Sequence, residues 1–178
     1  MKIFYDTEFH ENGKTIDLIS IGLVAEDGRE YYAVSSEFDW QRAANDRWLA
    51  ANVLSHLPTV MVGPDPNAHR VLDRSSHVVL ARAAIAADVE TFIRQTPQPE
   101  LWAYYTAYDH VALAQLWGRM VDRPNAVPMF TRDIKQEAAR LGVSSDDLPK
   151  QLSGEHHALA DARHNQVMLA FLADRATR

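Results

Sequence analysis

The stretch Met1-Lys2-Ile3-Phe4-Tyr5-Asp6-Thr7-Glu8-Phe9, followed by Ile16-Asp17-Leu18-Ile19-Ser20-Ile21-Gly22-Leu23-Val24-Ala25, decides how this chain begins to fold. The first run is rich in aromatic and β-branched residues and reads as a strand over residues 2–9. The second is a longer apolar run that ends in Glu26-Asp27-Gly28-Arg29. Asp-Gly between two apolar runs is a strong hairpin signal, and it leads into a third strand over residues 30–34. Three antiparallel strands therefore open the fold.

Beyond them the periodicity changes. Residues 39–57 place Trp48 and Ala51 at i+3 spacing and Leu49 and Val53 at i+4, which predicts a helix. Leu57-Pro58 through Gly63-Pro64-Asp65-Pro66-Asn67 reads as the most loop-like part of the chain. Residues 78–95 carry Ile85, Val89, Phe92 and Ile93 on one stripe and predict an amphipathic helix ending before Pro97. A short strand follows at 100–105, then a helix at 109–121, a strand at 127–130, a helix at 133–141 closed by Gly142, and a last helix at 159–173. Three strands followed by β-α-β-α-α predict an α/β fold, a mixed sheet flanked by helices. Residues 1–178 read as a single domain with an insertion or lid at about 40–75.

Composition narrows the classes. The chain has 178 residues, 47% hydrophobic and 24% charged, with no cysteine. That excludes a disulfide scaffold and allows a sizeable core. No apolar run approaches the roughly 20 residues that cross a bilayer, and the acidic start does not resemble a signal peptide. The expected compartment is the cytoplasm, with no membrane partner.

The formal net charge is −6, from 18 basic and 24 acidic residues. Such a balance argues against a broad cationic face that coats nucleic acid. Residues 1–110 hold 9 basic and 16 acidic groups, a balance of −7, whereas residues 111–178 hold 9 and 8, a balance of +1. The acidic first part is what needs explaining.

Asp6 and Glu8 are two apart in a strand, so both side chains share a face with Phe4. Either the strand end emerges into water there, or the pair requires a cation or protons to offset its burial. Asp109 follows Tyr108 just after a strand and opens a helix. An N-cap explains it, and capping does not exclude ligation. His156 and Asp161 lie five positions apart in His156-His157-Ala158-Leu159-Ala160-Asp161. A solvated loop pair and a first-turn helix acid explain these residues singly, while small neighbours would also let the helix bring Asp161 close to the sheet.

Taken together and in this order, the motifs resemble those of the DEDDh group of 3′-to-5′ exonucleases: Asp6-Thr7-Glu8, Tyr108-Asp109, and His156 through Asp161. The resemblance spans nearly the whole chain and implies a ribonuclease H-like fold. The compact length, the Phe-Tyr-Asp-Thr-Glu-Phe opening and the Leu-Ile-Ser-Ile-Gly strand look most like the polyadenylate-specific 3′-exoribonucleases, the ribonuclease AS group. One departure is Tyr105, where the family's second motif often carries Asn.

The resemblance implies a metal-dependent exoribonuclease that releases nucleoside 5′-monophosphates from single-stranded or overhanging RNA 3′ ends. Four carboxylates are hard oxygen donors suited to Mg²⁺ or Mn²⁺ and poorly suited to zinc. Two such ions about 3.5 to 4 Å apart clamp the attacking and leaving oxygens of an in-line displacement. On the family pattern Asp6 bridges them, Glu8 and Asp161 complete one ion's ligands, and Asp109 holds the other. His156 is then the general base, with His157 the competing candidate; an ordinary histidine titrates near about 6.5, which suits proton transfer near neutral pH. Expected substrate contacts are Thr7 through its backbone, Phe9 and Tyr108 by position in the motifs, and Arg163 to a phosphate. Relatives of this kind are often homodimers, so the resemblance implies a homodimer, and the Trp40 and Trp48 region offers an interface or core. The rival readings are a DNA-trimming exonuclease or oligoribonuclease of the same fold, a silent nucleic-acid-binding domain, and a phosphomonoesterase using the same metals.

Overall fold

The computed structural model describes residues 1–176, and its architecture follows from where the apolar runs pair. Strands β1 (Lys2–Glu11), β2 (Ile16–Ala25) and β3 (Glu30–Ser35) form the antiparallel meander. Gly28, at φ +87°, makes the tight turn between β2 and β3. Helices α1 (Trp40–Asn45) and α2 (Arg47–Asn52) follow, then a 3₁₀ turn at Leu54–His56 and a hairpin of β4 (Thr59–Val62) and β5 (His69–Leu72). The rest is β6 (Val79–Leu80), α3 (Arg82–Arg94), β7 (Glu100–Ala103), α4 (Ala107–Ala114), β8 (Arg132–Asp133), α5 (Ile134–Arg140) and α6 (Ala158–Ala176).

Six strands make one mixed sheet in the order β6-β3-β2-β1-β7-β8. β7 joins β1 in parallel, β8 joins β7 in parallel, and β6 lies parallel to β3. One face packs Ile3, Tyr5, Ile21 and Leu23 against Ile85 and Val89 of α3 and Leu113 of α4. The other packs Phe4, Val24 and Trp102 against Ile134 of α5 and Leu169 and Leu172 of α6. Burying each such side chain stabilises the fold by about 1.5–3 kcal/mol, so both helix layers are held by the sheet they cover. A third cluster joins Ile19 and Val34 of the sheet to Phe38, Leu49, Val53 and Leu72 of the segment after β3. Among the described residues, no helix is long and apolar enough to cross a membrane.

The mixed sheet flanked by helices is as expected; several boundaries are not. The helix predicted over 39–57 is two helices, because the Asp46 side chain accepts from the N–H groups of Trp48 and Leu49 and starts a new one. The segment predicted as loop contains β4 and part of its hairpin. The helix at 78–95 begins only at Arg82, since residues 79–80 pair with β3. The helix predicted over 109–121 runs instead from Ala107 to Ala114, and Gly118 at φ +83° ends the 3₁₀ turn that follows. Residues 127–130 form no strand; Val127 is buried in the core, and the pairing falls on Arg132–Asp133.

In β1–β2, Glu8 pairs with Ser20 and Phe9 with Leu18, leaving Ile19 as an extra residue in a bulge. Leu18 and Ile19 thereby feed different clusters although both are buried. Opposite Asp6, Gly22 is where α6 begins to cross the sheet. A Cβ built there would lie 2.4 Å from the Leu159 Cα and 2.5 Å from the Ala158 carbonyl carbon. Only glycine permits this approach, which brings the start of α6 down onto the strand beside Asp6.

Candidate active site

Asp6 and Glu8 lie on the β1 face that carries Phe4, as strand alternation requires, and that face is covered by α6. Asp161 is in the first turn of α6. Its carboxylate accepts from the His156 backbone N–H at 2.8 Å and from the Gln151 side-chain amide at 2.7 Å. Asp109 reaches the same place from the other layer. It sits inside the first turn of α4 rather than capping it, and its Oδ1 accepts from the Thr7 N–H at 2.9 Å and the Thr7 hydroxyl at 2.7 Å. Thr7 thus ties α4 to the strand between the two acids of β1.

All four carboxylates and His156 line one cleft of about 340 Å³. Ligand atoms of Glu8, His156 and Asp161 all lie within 4.8 Å of one another. His156 has φ +64°, a left-handed backbone that turns it at the head of α6. His157 does not line this cleft. It stacks on Tyr32 at 4.4 Å, with burial chiefly lowering its pKa.

The electrostatics show what such convergence costs. Burial, followed by the charges of Asp109, Glu8 and Asp161, raises the Asp6 pKa well above the usual carboxylate value. Asp6 keeps some exposed surface at the cleft floor, yet the walls displace most of its water. Burial first, then Asp161 and Asp109, pushes Glu8 from 4.5 up to about 8. Burial raises Asp109 to about 6 against the opposing pull of its Thr7 hydrogen bonds. Burial likewise raises Asp161, against the donors from Gln151 and His156. Like charges crowded in low dielectric hold protons unless a cation replaces them. Clustered hard oxygen donors with one imidazole beside them fit a divalent metal, and Asp6, Glu8, Asp109 and Asp161 could hold it.

Sequence comparison matches the same chain to known proteins. Residues 64–173 match the model of the 3′-5′ exoribonuclease Rv2179c-like domain. The 3′-5′ exoribonuclease Rv2179c of Mycobacterium tuberculosis H37Rv is 48% identical over 165 residues, covering 92% of this chain and 88% of the relative. The 3′-5′ exoribonuclease MT2234.1 of Mycobacterium tuberculosis CDC 1551 matches to the same extent. The chain belongs to this family. In this Rv2179c-like domain, Asp109, His156 and Asp161 fall within the stretch matched to the family model, and Asp6 and Glu8 precede it.

The remaining sequence-derived candidates of the Rv2179c-like chain divide. Phe9 lies on the opposite face of β1, as alternation predicts, yet it borders the cleft and stacks on Tyr108 with ring centres 5.8 Å apart. Tyr108 is 55% exposed, so one surface of this pair faces solvent. The Thr7 N–H and hydroxyl are both engaged by Asp109, which makes Thr7 a support for the acids. Arg163 is not brought to the cleft: its guanidinium forms a bidentate pair with Glu30 of β3 at 2.7 and 2.5 Å.

Sequence reasoning missed three features of the cleft. Trp48 of α2, considered for an interface or the core, borders the cleft and meets the His156 ring edge-on at 4.7 Å. Tyr105, at the position that departs from the family motif, lines it with φ +55°. Gln151 holds Asp161. Only the unusual Tyr105 left a sequence signal; the other two depend on tertiary approach.

Proposed function

We propose that this chain is a metal-dependent 3′-to-5′ exoribonuclease of the DEDDh type on a ribonuclease H-like fold. The observation that carries this reading is the convergence of Asp6, Glu8, Asp109, Asp161 and His156 on one cleft. Membership in a family whose relatives are named 3′-5′ exoribonucleases supports the direction and the substrate class.

Asp6, Glu8, Asp109 and Asp161 would hold two divalent cations, Mg²⁺ or Mn²⁺, which supply electrostatic stabilisation to the attacking and leaving oxygens of phosphodiester hydrolysis. An imidazole nitrogen of His156 takes a proton from the attacking water. The water oxygen bonds to phosphorus, the bond to the 3′ oxygen of the penultimate nucleotide breaks, that oxygen takes a proton from solvent water, and His156 returns its proton to solvent. A nucleoside 5′-monophosphate leaves. Thr7 orients Asp109, while Gln151 and the His156 N–H orient Asp161. The exposed Tyr108 ring and Phe9 beside it offer a stacking surface for the terminal base. The segment at about 40–75 acts as a wall or lid through Trp48. A homodimer and a preference for poly(A) complete the reading.

The test is a time course on 5′-labelled RNAs with adenylate, mixed and duplex 3′ ends, together with DNA, in Mg²⁺, Mn²⁺ or chelator. A ladder that shrinks from the 3′ end of RNA only with metal is expected. Equal trimming of DNA would assign a different substrate, release of inorganic phosphate alone would assign a phosphomonoesterase, and no cleavage of any 3′ end would leave a binding domain. Sedimentation of the same preparation reads the oligomeric state.

A further inference from the structure

The cleft that holds the acids is one of two hollows meeting there. The second, of about 360 Å³, lies between α6 and the chain that precedes it, and shares Asp6, Tyr104, His156 and Asp161 as walls with the first. A single strand passing the carboxylates would have room on both sides of them.

The two hollows differ in chemistry. The first is bordered by aromatic rings, whereas the second carries Lys150. Among the described residues that line either hollow, Lys150 is the one Lys or Arg. It shares its hollow with Asp6, Glu155 and Asp161 but forms no ion pair with any of them. The one nearby arginine expected to reach a phosphate, Arg163, is instead occupied by Glu30.

Lys150 is also held in place from both sides. The preceding carbonyl, that of Pro149, lies 2.9 Å from Nε2 of His164, and the following side chain, that of Gln151, donates to Asp161 at 2.7 Å. His164 and Asp161 are both on α6. Two tethers to the helix that carries one of the acids therefore fix the backbone of residue 150, leaving the exposed ammonium free. An ammonium on a flexible stem is a point charge that binds a phosphate without reading the base.

We propose that Lys150 binds the RNA backbone, at the phosphodiester next to the scissile one on its 5′ side, while the terminal nucleoside occupies the aromatic cleft. This rests on the exoribonuclease reading above and adds to it a polarity for the strand and a residue that sets its register. The acidic site then grips its anionic substrate with one side-chain cation, and that grip is independent of sequence.

The experiment compares wild type, Lys150→Gln and Lys150→Arg on three substrates at saturating Mg²⁺: a mixed-sequence RNA 10-mer, a dinucleotide with a 5′-phosphate, and the same dinucleotide with a 5′-hydroxyl. The last carries the scissile phosphate alone. For Lys150→Gln, KM on the 10-mer is expected to rise about threefold to tenfold with kcat nearly kept. The slope of log kcat/KM against log KCl concentration should become shallower by about 0.7, the value of one phosphate contact on a single strand. The advantage of the 5′-phosphorylated dinucleotide over its 5′-hydroxyl form should shrink, and Lys150→Arg should restore it. An unchanged salt slope, or an equal loss on both dinucleotides, would overturn the assignment. If wild-type protein cleaves none of the three RNAs, the exoribonuclease reading itself fails, which is a separate result.

Discussion

Replacing Glu8 by Gln keeps the side-chain shape and removes one of four crowded negative charges. Glu8 is buried and its pKa stands at about 8 in place of 4.5, by burial first and by Asp161 and Asp109 next. A carboxyl with a higher pKa folded than unfolded binds its proton more tightly in the native state. Metal-free protein therefore has the full benefit below about pH 4.5 and loses stability as pH rises through about 8. At about 1.4 kcal/mol per pH unit, that interval sets a ceiling of about 5 kcal/mol, which water entering the open cleft lowers to about 2–4 kcal/mol. Urea denaturation in chelator from pH 4 to pH 9 should show the two proteins nearly equal in stability at pH 4, with Glu8→Gln more stable above pH 8 by that amount. Adding Mg²⁺ or Mn²⁺ should reverse the order, because the cation replaces the protons that wild type lacks at high pH. If Glu8→Gln is no more stable than wild type at pH 9 in chelator, the carboxylates are not in electrostatic conflict, and the case for a cation between them collapses.

Three further outcomes follow from contacts described above. His156→Asn, chosen because Asn tolerates the left-handed backbone, should lower turnover by about 10²–10⁴-fold while keeping the metal-induced rise in melting temperature; full turnover would move the base to His157 or solvent. Gly22→Ala puts a methyl group 2.4 Å from Leu159 and should destabilise the fold by about 3 kcal/mol or more in urea unfolding, whereas near-wild-type stability would show that α6 can shift. Arg163→Ala should change kcat/KM on RNA by no more than about twofold, since its exposed pair with Glu30 is worth at most about 1 kcal/mol and does not touch the cleft; a tenfold fall would return Arg163 to substrate contact.

The first three strands were legible because apolar runs and an Asp-Gly turn are local signals. Ile85, Val89, Phe92 and Ile93 likewise announced α3 by their own spacing. What escaped was short or shared. The two-residue strands β6 and β8 carry no periodicity, and their pairing is dictated by β3 and β7. Asp46 sits where the apolar pattern of residues 39–57 continues, but its carboxylate satisfies the N–H groups of Trp48 and Leu49 and breaks the helix. Pro58, Gly63, Pro64 and Pro66 outweighed the alternating residues of the β4–β5 hairpin. The acids and His156 were visible as an ordered set of motifs. Their supports were not: Thr7 beneath Asp109, Gln151 against Asp161 and Trp48 against His156 are contacts between parts of the chain far apart in sequence or separated by a loop.

The bulge at Ile19 has a consequence for the order in which the protein is made. On either side of that extra residue the β1–β2 ladder runs in a different phase, so sliding the hairpin by one position cannot restore both halves at once. This hairpin holds Asp6 and Glu8 and is synthesised ahead of the helices that cover it, while Asp109 and Asp161 follow some 100 and 150 residues later. An alignment that admits a single solution lets the early part of the chain keep its two carboxylates in position until their partners exist.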